Sequence, residues 1–168
     1  MSKNKWKDRE LPNINHLLGF LRTDEFIVEF ILGHLVIESV LVQLIDAKLK
    51  QPEEFDTFRS LNFPQKVDLC VSLSLFDKNM AEFLKKFNTV RNNLVHKLGY
   101  KVSFDDVFQL VNEAHRGGID FSDDTIYQDK EKSKEWYGKY GIIHEIINNT
   151  AQDLAFILHD LGKEFIFG

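Results

Sequence analysis

A single cysteine, Cys70, in 168 residues excludes a disulfide framework and any zinc site built on thiolates. It stands between Leu69 and Val71 with no basic neighbour to stabilise a thiolate, and it reads as inert core in a reducing compartment. Only three prolines and nine glycines punctuate the chain, so enforced breaks are few. There is no glycine-rich phosphate loop and no defensible Ser-His-Asp arrangement. Positive charge is in deficit: 21 Lys and Arg against 26 Asp and Glu leave a net charge of -5. That balance excludes a protein that coats nucleic acid by bulk electrostatics, so any nucleic-acid contact must be local. Internal repeats and low-complexity tracts are also lacking.

What is present is the material of an ordinary globular domain, with 43% hydrophobic and 28% charged residues. A chain of this length buries about 70% of its unfolded surface and needs no covalent staple, so residues 1–168 are expected to form one domain. The start, Met1-Ser2-Lys3-Asn4-Lys5-Trp6-Lys7, is basic but runs into Asp8-Arg9-Glu10 without an apolar stretch. It reads as a flexible arm over residues 1–12, not a signal peptide, and a cytoplasmic location is expected. Residues Phe26 to Ile45 resemble a membrane span, but they contain Glu29, His34 and Glu38. A carboxylate at mid-bilayer costs roughly 2.5 kcal/mol or more, so the segment reads as a deeply buried helix of a soluble protein. It is apolar almost all round, which one domain can hardly cover, and a partner subunit is therefore expected.

Apolar spacing is helical nearly throughout. A short helix is expected from about Asn13 to Arg22. A long one starts at Thr23 or Asp24, both suitable N-caps, and runs to Lys50 before Gln51-Pro52 stops it. Phe55 to Phe63 is a connector, and Pro64 suits the first turn of the next helix. There Val67, Leu69, Val71, Leu73 and Leu75 alternate in a way that also fits a strand. Asp77 can cap a helix whose residues Met80, Phe83, Leu84, Phe87, Val90, Leu94 and Leu98 step by three and four, with Gly99 as its C-cap. Ser103-Phe104-Asp105-Asp106 is close to a capping box, opening a helix that ends at Gly117-Gly118. Residues 117–137 are polar and read as a loop or insertion. A last helix is expected from about Tyr140 to Phe165. The fold class is all-α, a bundle of five or six helices.

One constellation has a sharp chemical reading: Arg91-Asn92-Asn93-Leu94-Val95-His96. At 100° per residue Asn92 and His96 lie about 40° apart on the helical wheel, and Arg91 flanks Asn92, so the three span about 140°. Leu94 falls opposite, with Phe87 and Leu98. The helix thus presents a guanidinium, an amide and an imidazole along one stripe. Those groups can bind a phosphodiester, orient it and move a proton. His34 and Glu38, at i and i+4 on the long apolar helix, read as a buried hydrogen-bonded pair that could also support the stripe from behind.

The Arg-x-x-x-x-His spacing with Asn directly after Arg, late in a long helix, resembles the signature of the HEPN superfamily. The upstream apolar helix with Glu38, followed by Phe63-Pro64-Gln65-Lys66-Val67 and another helix, is similar to members of that group, including a mannitol-repressor-like branch of helical regulators. The likeness covers roughly Ile27 to Val107, about half of the chain. It implies a metal-independent endoribonuclease, often a toxin or defence effector, working as a homodimer with two motifs facing each other across one cleft. It makes Arg91 the group that binds the scissile phosphate, His96 the general base or acid for attack by the ribose 2′-OH, and Asn92 the residue that orients them. Asn93 and Lys97 would contact substrate, with Lys101 nearby. Neither cofactor nor metal is needed, because the nucleophile is internal to RNA. His96, a turn from Gly99, sits at the negative pole of its helix dipole, which repels phosphate; two apposed motifs would make a better anion site than one. An antitoxin or other regulatory protein partner is expected with such a reading.

The remaining histidines are weaker signals. His144-Glu145 and His159-Asp160 invite a metal, but further ligands at suitable spacing are lacking and no metal is expected. His115 reads as a helix-end residue and His16 as surface. Asn148-Asn149-Thr150 matches a glycosylation sequon inside a helix and is set aside. Fifteen phenylalanines at helical spacing are core and interface material. The rival reading is a non-catalytic helical regulator or interaction module with the same fold, which the acidic balance favours.

Overall fold

The computed structural model describes residues 25–49, 56–97 and 99–166. The expected helix over 13–22, the N-terminal arm, His16 and Leu98 lie outside them. Among the described residues there are seven α-helices, one short 3-10 helix and no strand. They are α1 (Glu25–Leu49), the 3-10 turn (Asp56–Ser60), α2 (Phe63–Ser72), α3 (Lys78–His96), α4 (Phe104–Arg116), α5 (Thr125–Gln128), α6 (Lys130–Trp136) and α7 (Gly138–Asp160). The fold is an all-α bundle.

Local chemistry sets most of the helix boundaries. Asp77 accepts from the Met80 N–H at 3.0 Å and starts α3. Ser103 and Asp106 form a reciprocal capping box at α4. Asn62 and Gln65 do the same at α2, and the ambiguous alternation over 67–75 resolves as helix up to Ser72, with residues 73–75 in the turn that follows. Gly99 is not the C-cap of α3. Lys97 holds that position, and Gly99 follows it at φ +80°, a conformation that suits glycine. Residues 117–137 are not a plain loop: they fold into α5 and α6, which raises the helix count above five or six. Their few apolar anchors explain the order. Ile119, Phe121 and Ile126 are buried, and the enclosed Ser133 hydroxyl donates to the Ile126 carbonyl at 2.8 Å. Asp129 caps α6.

The core is apolar and rich in phenylalanine. Phe26, Phe30, Phe83 and Phe87 are wholly enclosed, and Phe30 stacks on Phe87 at 4.5 Å. Helices α1 and α7 lie side by side, with Gly33 of α1 against Ile147 of α7. Helix α1 is long and apolar enough by composition to cross a membrane, yet only 39% of its most apolar 18 residues is buried. The bundle covers one side of it. Opposite the core, Val28, Leu32 and Leu35 remain about half exposed and form a stripe at helical spacing. Cys70 is buried, and burial pushes its thiol up to about 12, as inert core requires.

Candidate functional site

Helix α3 carries the candidate residues in its last two turns. Its core face, Met80, Phe83, Leu84 and Phe87, packs inward, and the same arc continues into Asn88 and Arg91. Arg91 therefore stands on the Phe87 side of the helix, only about 40° from Phe87 on the wheel, and not opposite it as expected. Asn88 is buried, whereas Arg91, Asn92, Asn93 and Leu94 are half-buried; Val95, His96 and Lys97 are exposed. The apolar seam thus turns polar where the helix leaves the core.

The structure brings two of the three candidate groups together. Arg91 Nη1 donates to Asn92 Oδ1 at 2.9 Å. His96 is exposed on the following turn and makes no hydrogen bond to either of them among the described residues. Lys97 is exposed, with its ammonium 6.0 Å from the centre of the Tyr100 ring. No carboxylate partners Arg91 among the described residues. Lys66, Lys85 and Lys86, by contrast, each sit on a carboxylate: Glu38, Asp68 and Glu113 respectively. A half-buried guanidinium held by a neutral amide leaves most of its five donors available to an anion.

Behind Arg91 lies a buried polar cluster. His34 of α1 is wholly enclosed, its ring 4.3 Å from that of Phe63 and stacked on Phe87 at 6.1 Å. Its Nε2 meets Asn88 Oδ1 at 3.0 Å. The expected hydrogen bond between His34 and Glu38 is not made: Nδ1 and Oε2 stand 4.0 Å apart. The reason is competition. Glu38 instead takes the charged Lys66 ammonium at 2.7 Å, a stronger partner than a neutral imidazole. Burial above all, then the Arg91 guanidinium, hold His34 below the ordinary histidine range; the bond to Asn88 and the Glu38 carboxylate act the other way. His34 is therefore neutral near pH 7.

Sequence reasoning missed Asn88 and gave Lys66 no role. A signal for Asn88 existed, because it falls on the buried arc between Leu84 and Arg91, one turn before Asn92. For Lys66 there was none, since a lysine in the first turn of a helix is usually solvated.

The other histidines serve local contacts. His144 Nδ1 meets Glu29 at 2.8 Å and so ties α7 to α1, while its Nε2 meets Asn148 at 2.8 Å. His115, at the end of α4, stacks on Tyr127 at 3.8 Å. His159 is exposed. No group of three or more His, Cys, Asp or Glu among the described residues could hold a metal ion. Comparison of the chain with protein-family models, with curated proteins and with solved structures finds no match.

Proposed function

We propose that the chain is a metal-independent endoribonuclease of the HEPN type, a cytoplasmic toxin or defence effector that acts as a homodimer. The observation that carries the reading is Arg91. It is half-buried, unpaired by any carboxylate among the described residues, and aligned by Asn92 at the end of the core face of α3. What sets Arg91 apart from the exposed lysines is that it is half-buried beside the core with only a neutral amide as partner, and a cation so placed suits an anion from outside. In this reading Arg91 binds the scissile phosphate and stabilises charge on the pentacoordinate transition state. His96, exposed on the next turn, exchanges a proton with the ribose 2′-OH or the leaving oxygen. Asn92 fixes the guanidinium, and Asn93 and Lys97 contact the flanking backbone. A second copy supplies the facing motif. RNA, structured and single-stranded, incubated with the purified protein in excess EDTA tests this. Cleavage is expected, with Arg91→Ala and His96→Ala slowed at least a hundredfold, a typical loss for a missing acid-base or charge-stabilising group. The claim is wrong if RNA stays intact, or if both variants cut as fast as the parent.

The apolar stripe of Val28, Leu32 and Leu35 favours a second reading, a non-catalytic helical regulator that binds a protein through α1. Under it, changes at Leu32 and Leu35 abolish partner binding, while changes at His96 leave every activity intact.

A further inference from the structure

Resting on the reading of Arg91 as the anion-binding group, we propose that His34 is a positioning residue that takes up a proton when an anion occupies Arg91, so that the site binds its phosphodiester and a proton together. The geometry of the buried cluster carries this. With Asn88 Oδ1 as acceptor at 3.0 Å, Nε2 of His34 holds the proton of the neutral ring. Nδ1 then has no hydrogen-bond partner and faces Glu38 Oε2 across 4.0 Å. The charged groups around the imidazole are Glu38 on its own helix, Lys66 from α2 and Arg91 from α3. Two cations oppose one carboxylate, while Phe63 and Phe87 close the rest with apolar rings.

An anion on Arg91 cancels one of the two positive fields that keep His34 neutral. The proton comes from solvent and binds Nδ1, whose new N–H points toward Glu38. Nε2 goes on donating to Asn88, and the new N–H at Nδ1 faces the Glu38 carboxylate across 4.0 Å as an ion pair, where the neutral ring left a buried acceptor idle. Linkage makes the effect reciprocal: if the anion favours the proton, the proton favours the anion by the same factor. Asn88 transmits position as well as charge. It precedes Arg91 by three residues and Asn92 by four, so its bond to His34 fixes the strip of α3 that presents the guanidinium.

The test uses the full chain and two probes of fixed charge. One is sulfate; the other is a single-stranded deoxyoligonucleotide, which offers phosphodiesters but no 2′-OH to react. Titration calorimetry in buffers of different ionisation enthalpy, between about pH 6 and 8, counts the protons. The expected result is net uptake approaching one proton per anion, with affinity rising by up to about tenfold per pH unit as pH falls. Arg91→Met loses binding. His34→Gln, which can still donate to Asn88, binds with a flattened pH dependence, whereas His96→Gln keeps the slope. If neither probe binds, the anion reading of Arg91 itself fails. Binding without proton uptake, or uptake that survives His34→Gln and vanishes in His96→Gln, overturns the coupling alone. Should His34→Gln not fold, ring NMR of the parent decides. A His34 signal that titrates at higher pH with probe bound supports the coupling, and one that titrates identically with and without probe ends it.

Discussion

Arg91→Met and Lys66→Met pose one question to two cations of the same cluster. Lys66 is 5% exposed and holds Glu38 at 2.7 Å. Removing one partner of a buried ion pair costs about 3–5 kcal/mol, because the other charge is stranded. The Glu38 side chain keeps 24% exposure, so water takes over part of the loss. About 2–3 kcal/mol is expected, just below that range. Arg91 strands no charge. Its removal costs one hydrogen bond to Asn92, about 0.5–1.5 kcal/mol, with helix propensity almost unchanged. His34 is neutral near pH 7 and gains nothing from the change, so a loss of about 1 kcal/mol is expected. Urea unfolding followed by circular dichroism reads both. With a slope of about 2 kcal/mol per molar, Lys66→Met should lower the midpoint by about 1 M or more and Arg91→Met by about 0.5 M. A loss for Arg91→Met as large as that for Lys66→Met would show a structural guanidinium and refute the argument that it waits for a ligand.

Three further outcomes follow from the same geometry. His34 is held neutral, so the folded state binds its proton less readily than the unfolded chain does; stability is full above about pH 6.5 and declines as pH falls below it, by at most about 1.4 kcal/mol per pH unit. Urea midpoints between pH 7.5 and 5.5 should show this slope in the parent and a shallower one in His34→Gln; equal slopes would contradict it. Gly33→Ala would place a Cβ against Ile147 Cδ1, 2.6 Å from Cγ1 and 2.8 Å from Cγ2. Overpacking of about 1–3 kcal/mol outweighs about 1 kcal/mol of helix propensity, so thermal melting should show a loss that shrinks in an Ile147→Ala background; a variant as stable as the parent would deny the close approach. The Cys70 thiol, buried and pushed up to about 12, should resist a thiol reagent at pH 8 in the native protein and react fully in denaturant. Rapid native labelling would place it outside the core.

Features set by neighbours in the chain were legible in the sequence. The Asp77 cap, the box at Ser103 and Asp106, and the extent of α1 depend on residues within a turn or two. Helix α7, by contrast, ends at Asp160 and not at the expected Phe165, with Leu161 as its C-cap. Residues 117–137 misled because polar composition hides how few anchors a short helix needs; Ile126 and Ser133 suffice. At the site, Arg91 and Asn92 were legible as neighbours on one stripe, but their hydrogen bond was not expected, because consecutive helical residues do not face each other. The polar cluster was not legible. His34 finds Asn88 across 54 residues and Glu38 finds Lys66 across 28, so both pairings depend on how α1 crosses α2 and α3. Spacing on one helix suggested His34 with Glu38. Tertiary packing gave Glu38 a charged partner in Lys66 and left His34 the neutral amide of Asn88.

The most direct measurement of the central claim is the chemistry of the cut ends. RNA digested in EDTA should yield fragments with a 2′,3′-cyclic phosphate and a 5′-hydroxyl, identified by mass spectrometry. A substrate carrying a single ribonucleotide in a DNA strand should be cut only at that residue. Fragments ending in a 3′-hydroxyl and a 5′-phosphate, or cleavage within all-DNA strands, would contradict attack by the 2′-OH under Arg91 and His96.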